Sequence, residues 1–407
     1  MQEKRKRKGN FNISLSWKWI ISCCVSCLLV FLTLLGSSVG YGLWKEGEMM
    51  KEMEILGNWL DINPKGDMKV DDDFFLINIA YDKVLVDAFD EFQMPAGKRA
   101  VVDRNALYRL LDSVSDVNYK CILLDVRLYE NDITESDSLL VAAINSSPRI
   151  LIVDNPEGVL PVGIEREKVA DASYGIHYLN SDFLKFRYQI DDKPGIALAA
   201  YNIADGKELD LSGHFPTDNG NLAQSNIYLP LYYKINSTYD PDYNRLIYNL
   251  RTDILDVYDK LQLSRLLDGK IIIIGDYTEG DLHNTYAGDM HGPVIIMNAI
   301  RALRMGYHIV AIPKLIIMFI IYLVLVISIL SDVSVYLPEI ISKSLVLRCL
   351  ALMIGYSTVL ALMDMGFYLS SGIMFDFYLP FIFLTLLNFF SDKRVIELTK
   401  LIFKKNE

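Results

Sequence analysis

Cysteine is scarce in this chain and placed where it cannot staple a soluble domain. There are five cysteines; Cys23, Cys24 and Cys27 fall in one long apolar run and Cys349 in another. Cys121 is thereby alone between residues 45 and 311, so that stretch has no internal disulfide and must rest on a hydrophobic core, which its length permits. Histidine is equally rare, five in 407 residues. No P-loop, dinucleotide fingerprint, nucleophile elbow or Cys–His constellation occurs, so no catalytic motif of good specificity points to an enzyme. Excess positive charge is missing too. The net charge is −11, with the acidic residues concentrated in 45–311, which argues against nucleic acid and anionic lipid as partners of that region.

What the sequence has in abundance is apolar length at its two ends. Residues 19–43 carry no charge and follow the basic run Lys4-Arg5-Lys6-Arg7-Lys8. A signal peptide also starts basic, but its apolar stretch is usually about 7–15 residues, whereas a span needs about 20. An uncleaved anchor is expected. Three further spans are expected at 312–331, 344–363 and 368–391. Basic residues cluster in the arm 1–18, in the tail 392–407 and beside the second-to-third connection (Lys343, Arg348). The positive-inside rule then puts both termini in the cytoplasm and 44–311 outside, and a bacterial cytoplasmic (inner) membrane is the expected location.

The exterior stretch reads as α/β. Trp44–Leu60 is amphipathic, either packed on its own domain or standing as a stalk that pairs protomers, so a homodimer is one expectation. Phe74–Ala80, Cys121–Val126, Arg149–Val153 and Ile271–Ile274 read as buried strands. Helices are expected after Asp103, over Thr134–Ser146 with Thr134 as cap, after Pro194, over Thr252–Leu267, and over Pro293–Met305 with Gly306 as its stop. A strand is expected over Asn226–Ile235, and Gly275–Met290 is expected to be a polar loop. The fold class is one α/β domain with a mostly parallel central sheet and helices on both faces, plus four transmembrane helices, one before and three after.

Chemistry-bearing residues gather after the last strand. Asp276, Asp281, His283, Thr285, Asp289 and His291 lie within sixteen residues. In open α/β sheets ligands bind at the C-terminal ends of strands. The same residues also suit a hydrogen-bonded turn, and their spacing matches no closed metal motif. Asp125 and Arg127 end another strand and border the same crevice or pair with each other; Arg187 is a further candidate of that kind. Asp376 is an ionisable group in an apolar segment and so a signalling candidate.

The segment 266–306 resembles the CHASE2 family of extracytoplasmic sensor domains. The resemblance rests on Asp268-Gly269-Lys270 before the isoleucine strand and Gly275, then Gly280-Asp281-Leu282-His283-Asn284-Thr285, Gly292 and Asn298-Ala299. Arg104–Leu111 with Cys121–Val126, and Pro194–Ala200, are similar to earlier parts of the family. The chain departs at Tyr286, where the family has Pro, and at Ile296 and Met297, near which it has His. The resemblance implies a sensor and adds Asn298 as a signalling candidate. It implies a small-molecule or envelope ligand and, since only about 16 residues follow the last span, a separate cytoplasmic effector as partner. Nothing in the pattern asks for a cofactor or a resident metal. The competing readings are a membrane scaffold that recruits a cytosolic effector and a metal-assisted envelope hydrolase.

Overall fold

The computed structural model describes residues 15–38, 46–60, 73–89, 92, 94–128, 134–154, 160–172, 185–190, 193–213, 215–229, 247–331 and 345–391. The expectations for the basic run 4–8, the connection 332–343 and the tail 392–407 lie outside these residues, as does most of the strand expected to reach Ile235. The chain divides into two units. One falls within Met1–Val39, Val310–Phe367 and Met374–Glu407, the other within Gly40–Ile309 and Tyr368–Ile373.

The second unit is built on a six-stranded sheet, numbered here in chain order: β1 Phe74–Asn78, β2 Cys121–Asp125, β3 Ile150–Val153, β4 Val169–Ala170, β5 Ile247–Asn249 and β6 Ile271–Gly275. The spatial order is β5-β1-β6-β2-β3-β4, and every pairing is parallel. The near-continuous apolar runs follow from burial on both faces. Alternate residues (Phe75, Ile77, Ile122, Leu124, Ile272, Ile274) join a core with α3 (Arg104–Ser113), α4 (Asp137–Ser146) and α6 (Lys260–Leu267). The other face meets α5 (Ile196–Asp205) and α7 (Gly292–Arg304). Each such side chain contributes about 1.5–3 kcal/mol by leaving water. An amphipathic helix, α2 (Glu46–Trp59), precedes the sheet in this unit.

Local chemistry sets the helix ends, and in places against expectation. Asp103 caps α3, accepting the Ala106 N–H at 3.0 Å. Thr134 does not cap α4; the helix starts at Asp137, whose carboxylate takes the Thr134 hydroxyl while pairing with buried Arg104 at 2.6 Å. The helix expected over Thr252–Leu267 is two pieces. A π-turn over Leu250–Leu255 ends, and Asp259 with Gln262 forms a capping box that restarts the chain as α6. The loop expected at Gly275–Met290 contains an antiparallel hairpin, Leu282–Thr285 with Gly288–His291. A second hairpin, Lys83–Phe89 with Pro95–Val102, was not expected at all.

The first unit contains α1 (Leu15–Ser37), α8 (Ile312–Leu330), α9 up to Phe367 (Leu345–Ser371 in full) and α10 (Tyr378–Ser391). Among the described residues three helices, Trp17–Ser37, Ile312–Leu330 and Leu347–Ser371, are long and apolar enough to cross a membrane; α10 has 14 residues and is shorter than the span expected at 368–391. Helix α9 overruns its expected end at 363 and stops before Gly372, which takes the left-handed conformation (φ 70°). Asp364 accepts the Phe375 N–H at 2.9 Å, and the N–H of Asp376 donates to Ser37 Oγ at 2.9 Å. Asp376 is therefore a buried residue of the connection between α9 and α10 rather than of a helix. Thr33 Oγ1 and Tyr322 Oη meet at 2.5 Å between α1 and α8.

Candidate functional site

Strands β1, β6 and β2 end side by side, with Asn78 opposite Gly275 and Gly275 opposite Asp125. Asn78 is fully buried and ties these ends together. Its Nδ2 donates to Asn249 Oδ1 at 3.0 Å, and its Oδ1 accepts the N–H groups of Ala80 (3.1 Å) and Tyr277 (3.2 Å). The backbone leaving β6 is thereby held against β1. A polar residue closing an otherwise apolar strand was the sequence signal for this lock, and it was missed.

Beyond these ends lies a cavity of about 370 Å³. That is at the small end of the range for small-molecule sites. Asp125, Asp276 and Asp281 line it from the sheet side, with Arg127 just past β2. Its remaining wall is the hairpin Lys83–Val102, which contributes Lys83 and Arg99. The acids are half-buried and the three cations exposed, so the cavity has an acidic floor and a basic rim.

Glycines make room for the acids. A Cβ at Gly280 would stand 2.8 Å from Asp276 Oδ2, and one at Gly292 would collide with the Asp281 carboxylate. At Gly275 it would meet Pro293 Cγ at 2.5 Å. Asp276 Oδ1 accepts the Thr278 N–H at 2.8 Å and its hydroxyl at 2.5 Å. Asp281 Oδ1 is 3.1 Å from His283 Nε2. Burial, reinforced by Asp281 and Asp276 and opposed by His283 and Arg127, pushes the Asp125 carboxyl up to about 7. Burial likewise raises Tyr277 well above its usual range, with Asp125 and Asp281 adding to it. His291, at the N-terminus of α7, is lowered by burial against the opposing pull of the Thr278 backbone and of Asp281 and Asp276.

Of the residues singled out from sequence, Asp125, Arg127, Asp276 and Asp281 line one cavity, with His283 on Asp281. Arg127 is exposed past the strand end and Asp125 sits on the floor, and the Arg127 charge opposes the rise of the Asp125 carboxyl. His291 lies behind the site, its ring edge-on to Tyr277 at 6.4 Å. Thr285 closes its own hairpin turn, donating to the Gly288 carbonyl and accepting the Ala287 N–H. Asp289 is exposed opposite Asn284. Asn298 is buried in α7, donating to the Val294 carbonyl at 2.9 Å. Arg187 belongs to a separate strand pair with Asn226 and does not line the cavity. Among the described residues no group of three or more His, Cys, Asp or Glu is arranged to hold a metal ion.

Neither the curated proteins nor the solved structures compared with this chain returned a match. The CHASE2 domain matches residues 55–331, which spans the whole sheet, the cavity and α8. With that match over more than half its length, the chain belongs to the CHASE2 family of extracytoplasmic sensor domains.

Proposed function

We propose that this protein is a membrane-bound receptor subunit whose exterior domain binds a small molecule in the cavity at the ends of β1, β2 and β6 and reports its occupancy to a separate cytoplasmic protein. The observation that carries the reading is Asp125, a carboxylate kept on the cavity floor although burial and two neighbouring acids oppose its charge. Perturbed ionisable groups in a cleft are functional-site candidates, and ligands of open α/β sheets bind at the C-terminal ends of the strands. Asp281 lies against Gly292, the first residue of α7, and residues 305–311 connect α7 to α8 in sequence. A ligand that prefers one placement of Asp281 shifts α7 between two arrangements, and its differential affinity sets how far the population moves.

The membrane plan belongs to the same proposal. Three helices long enough to span and the shorter apolar α10 are read as four spans, which puts both termini in the cytoplasm and the CHASE2 domain outside the bacterial inner membrane. The basic tail is then the surface that the cytoplasmic effector reads. Co-purification of the full chain in mild detergent, beside a version ending at Arg394, tests this. A cytosolic protein lost with the tail, whose association changes in the Asp281→Asn variant, is the expected result. A partner indifferent to Asp281 would leave a scaffold, and absence of any partner would overturn the relay.

A further inference from the structure

We infer that the cavity takes a small zwitterion, an ammonium and a carboxylate on one short skeleton as in the amino acids, with the ammonium on the acidic floor and the carboxylate at the basic rim. This deepens the receptor reading and rests on it. The two signs come from different parts of the fold. Asp125, Asp276 and Asp281 follow the ends of β2 and β6, whereas Lys83 and Arg99 stand on the hairpin and Arg127 lies past the strand end. Three acids and three bases line one small space.

A simple anion would meet the rim but add a negative charge near the floor. A simple cation would meet the floor but pass under three positive groups. Only a ligand carrying both charges satisfies both walls, and carboxylate recognition by Arg is the stronger for its charge-assisted hydrogen bonds. The floor is also positioned in advance. Gly280 and Gly292 leave room for the Asp276 and Asp281 carboxylates, which Thr278 and His283 orient through hydrogen bonds. Short apolar groups such as Ala80 and Val101 complete the lining, which leaves space for a small side chain. An ammonium beside Asp125 favours its charged form, so a proton leaves Asp125 as the ligand enters.

The test is calorimetric titration of the full-length protein in detergent, near neutral pH, with the proteinogenic amino acids one at a time. Propionate and ethylamine serve as half-ligands, and Mg²⁺ and inorganic phosphate as the simple ions. At least one amino acid is expected to bind, with each half-ligand weaker by about tenfold or more, a difference of about 1.4 kcal/mol. The binding heat is expected to vary with the ionisation enthalpy of the buffer, which reports the released proton. Asp281→Asn and Arg127→Gln are each expected to weaken binding by about tenfold or more, while Asp289→Ala leaves it unchanged. Thermal unfolding confirms that each variant folds, and Asp276→Asn replaces Asp281→Asn if the latter does not. Binding of ethylamine, propionate, phosphate or Mg²⁺ as tight as that of any amino acid overturns the zwitterion. So does the absence of amino-acid binding. If the Asp281-dependent change in the cytoplasmic partner survives either result, the ligand class alone is wrong; if it is also absent, the cavity reading falls with it.

Discussion

Two ionisable centres in the unit built on the sheet, half-buried Asp125 and fully buried His308, meet the same physics and resolve it differently. Asp125 sits on the floor of a cavity. His308 is closed in completely, with Nε2 3.3 Å from Asp218 Oδ2, the rings of Tyr188 and Tyr201 edge-on at 5.9 and 6.1 Å, and Lys207 over Tyr201 at 5.3 Å. Desolvation pushes Asp125 up to about 7 and His308 down to about 4, in the latter case against the pull of Asp218. Each group is driven toward its neutral form. The difference is access. The fully buried His308 is neutral and part of the packing. Around Asp125 the unrelieved cost faces open space, where an incoming cationic group removes it. Of two perturbed groups, the one bordering a cavity is the one that binding can exploit.

The comparison is sharpened most by Asp125→Asn. The folded pKa lies above the unfolded value, so the native state holds the extra proton, and stability falls as pH rises from about 4 to about 7. Removing the charge is expected to raise stability above pH 7 by up to about 4 kcal/mol, less any screening through the cavity. Urea unfolding at pH 5 and pH 8 measures it; an unchanged or lowered midpoint at pH 8 would break the comparison. For His308 the sign reverses. Its folded pKa is depressed, the unfolded chain takes up the proton first, and stability is lost as pH falls from about 6.5 to about 4. His308→Gln is expected to remove an acid-limb loss of about 3 kcal/mol, seen as a flatter unfolding midpoint against pH. Gly275→Ala comes next. The added methyl meets Pro293 Cγ and the Asp125 backbone, and overpacking of this kind costs about 1–3 kcal/mol. Recovery of stability when Pro293→Ala is added would confirm the contact as the cause.

Much of the sheet was legible because burial on both faces leaves a plain mark. The isoleucines 271–274, Phe74–Asn78 and Cys121–Asp125 are runs that no amphipathic element tolerates. The Asp103 cap was legible for a local reason, an acceptor just before an apolar helical stripe. The break between Leu255 and Lys260 was not, since Ile254, Leu255, Leu263 and Leu267 all face the core and mimic one continuous period. The hairpins escaped because their strands are exposed and mixed in composition: Pro95–Val102 is solvent-facing through Ala100, and Leu282–Thr285 contains His and Asn. The acidic half of the cavity could be read from sequence because Asp276 and Asp281 follow a strand end. Lys83 and Arg99 could not, because only the hairpin's fold brings them to β2 and β6.

Infrared spectroscopy of the full-length protein follows the protonation of Asp125 directly, through the carbonyl stretch of a neutral carboxyl. A band present at about pH 6, fading through about pH 7, absent in Asp125→Asn and shifted to lower pH in Asp281→Asn is the expected result. A spectrum in which the Asp125-dependent band is gone by about pH 5, as for an ordinary aspartate, would contradict a cavity floor held under electrostatic strain.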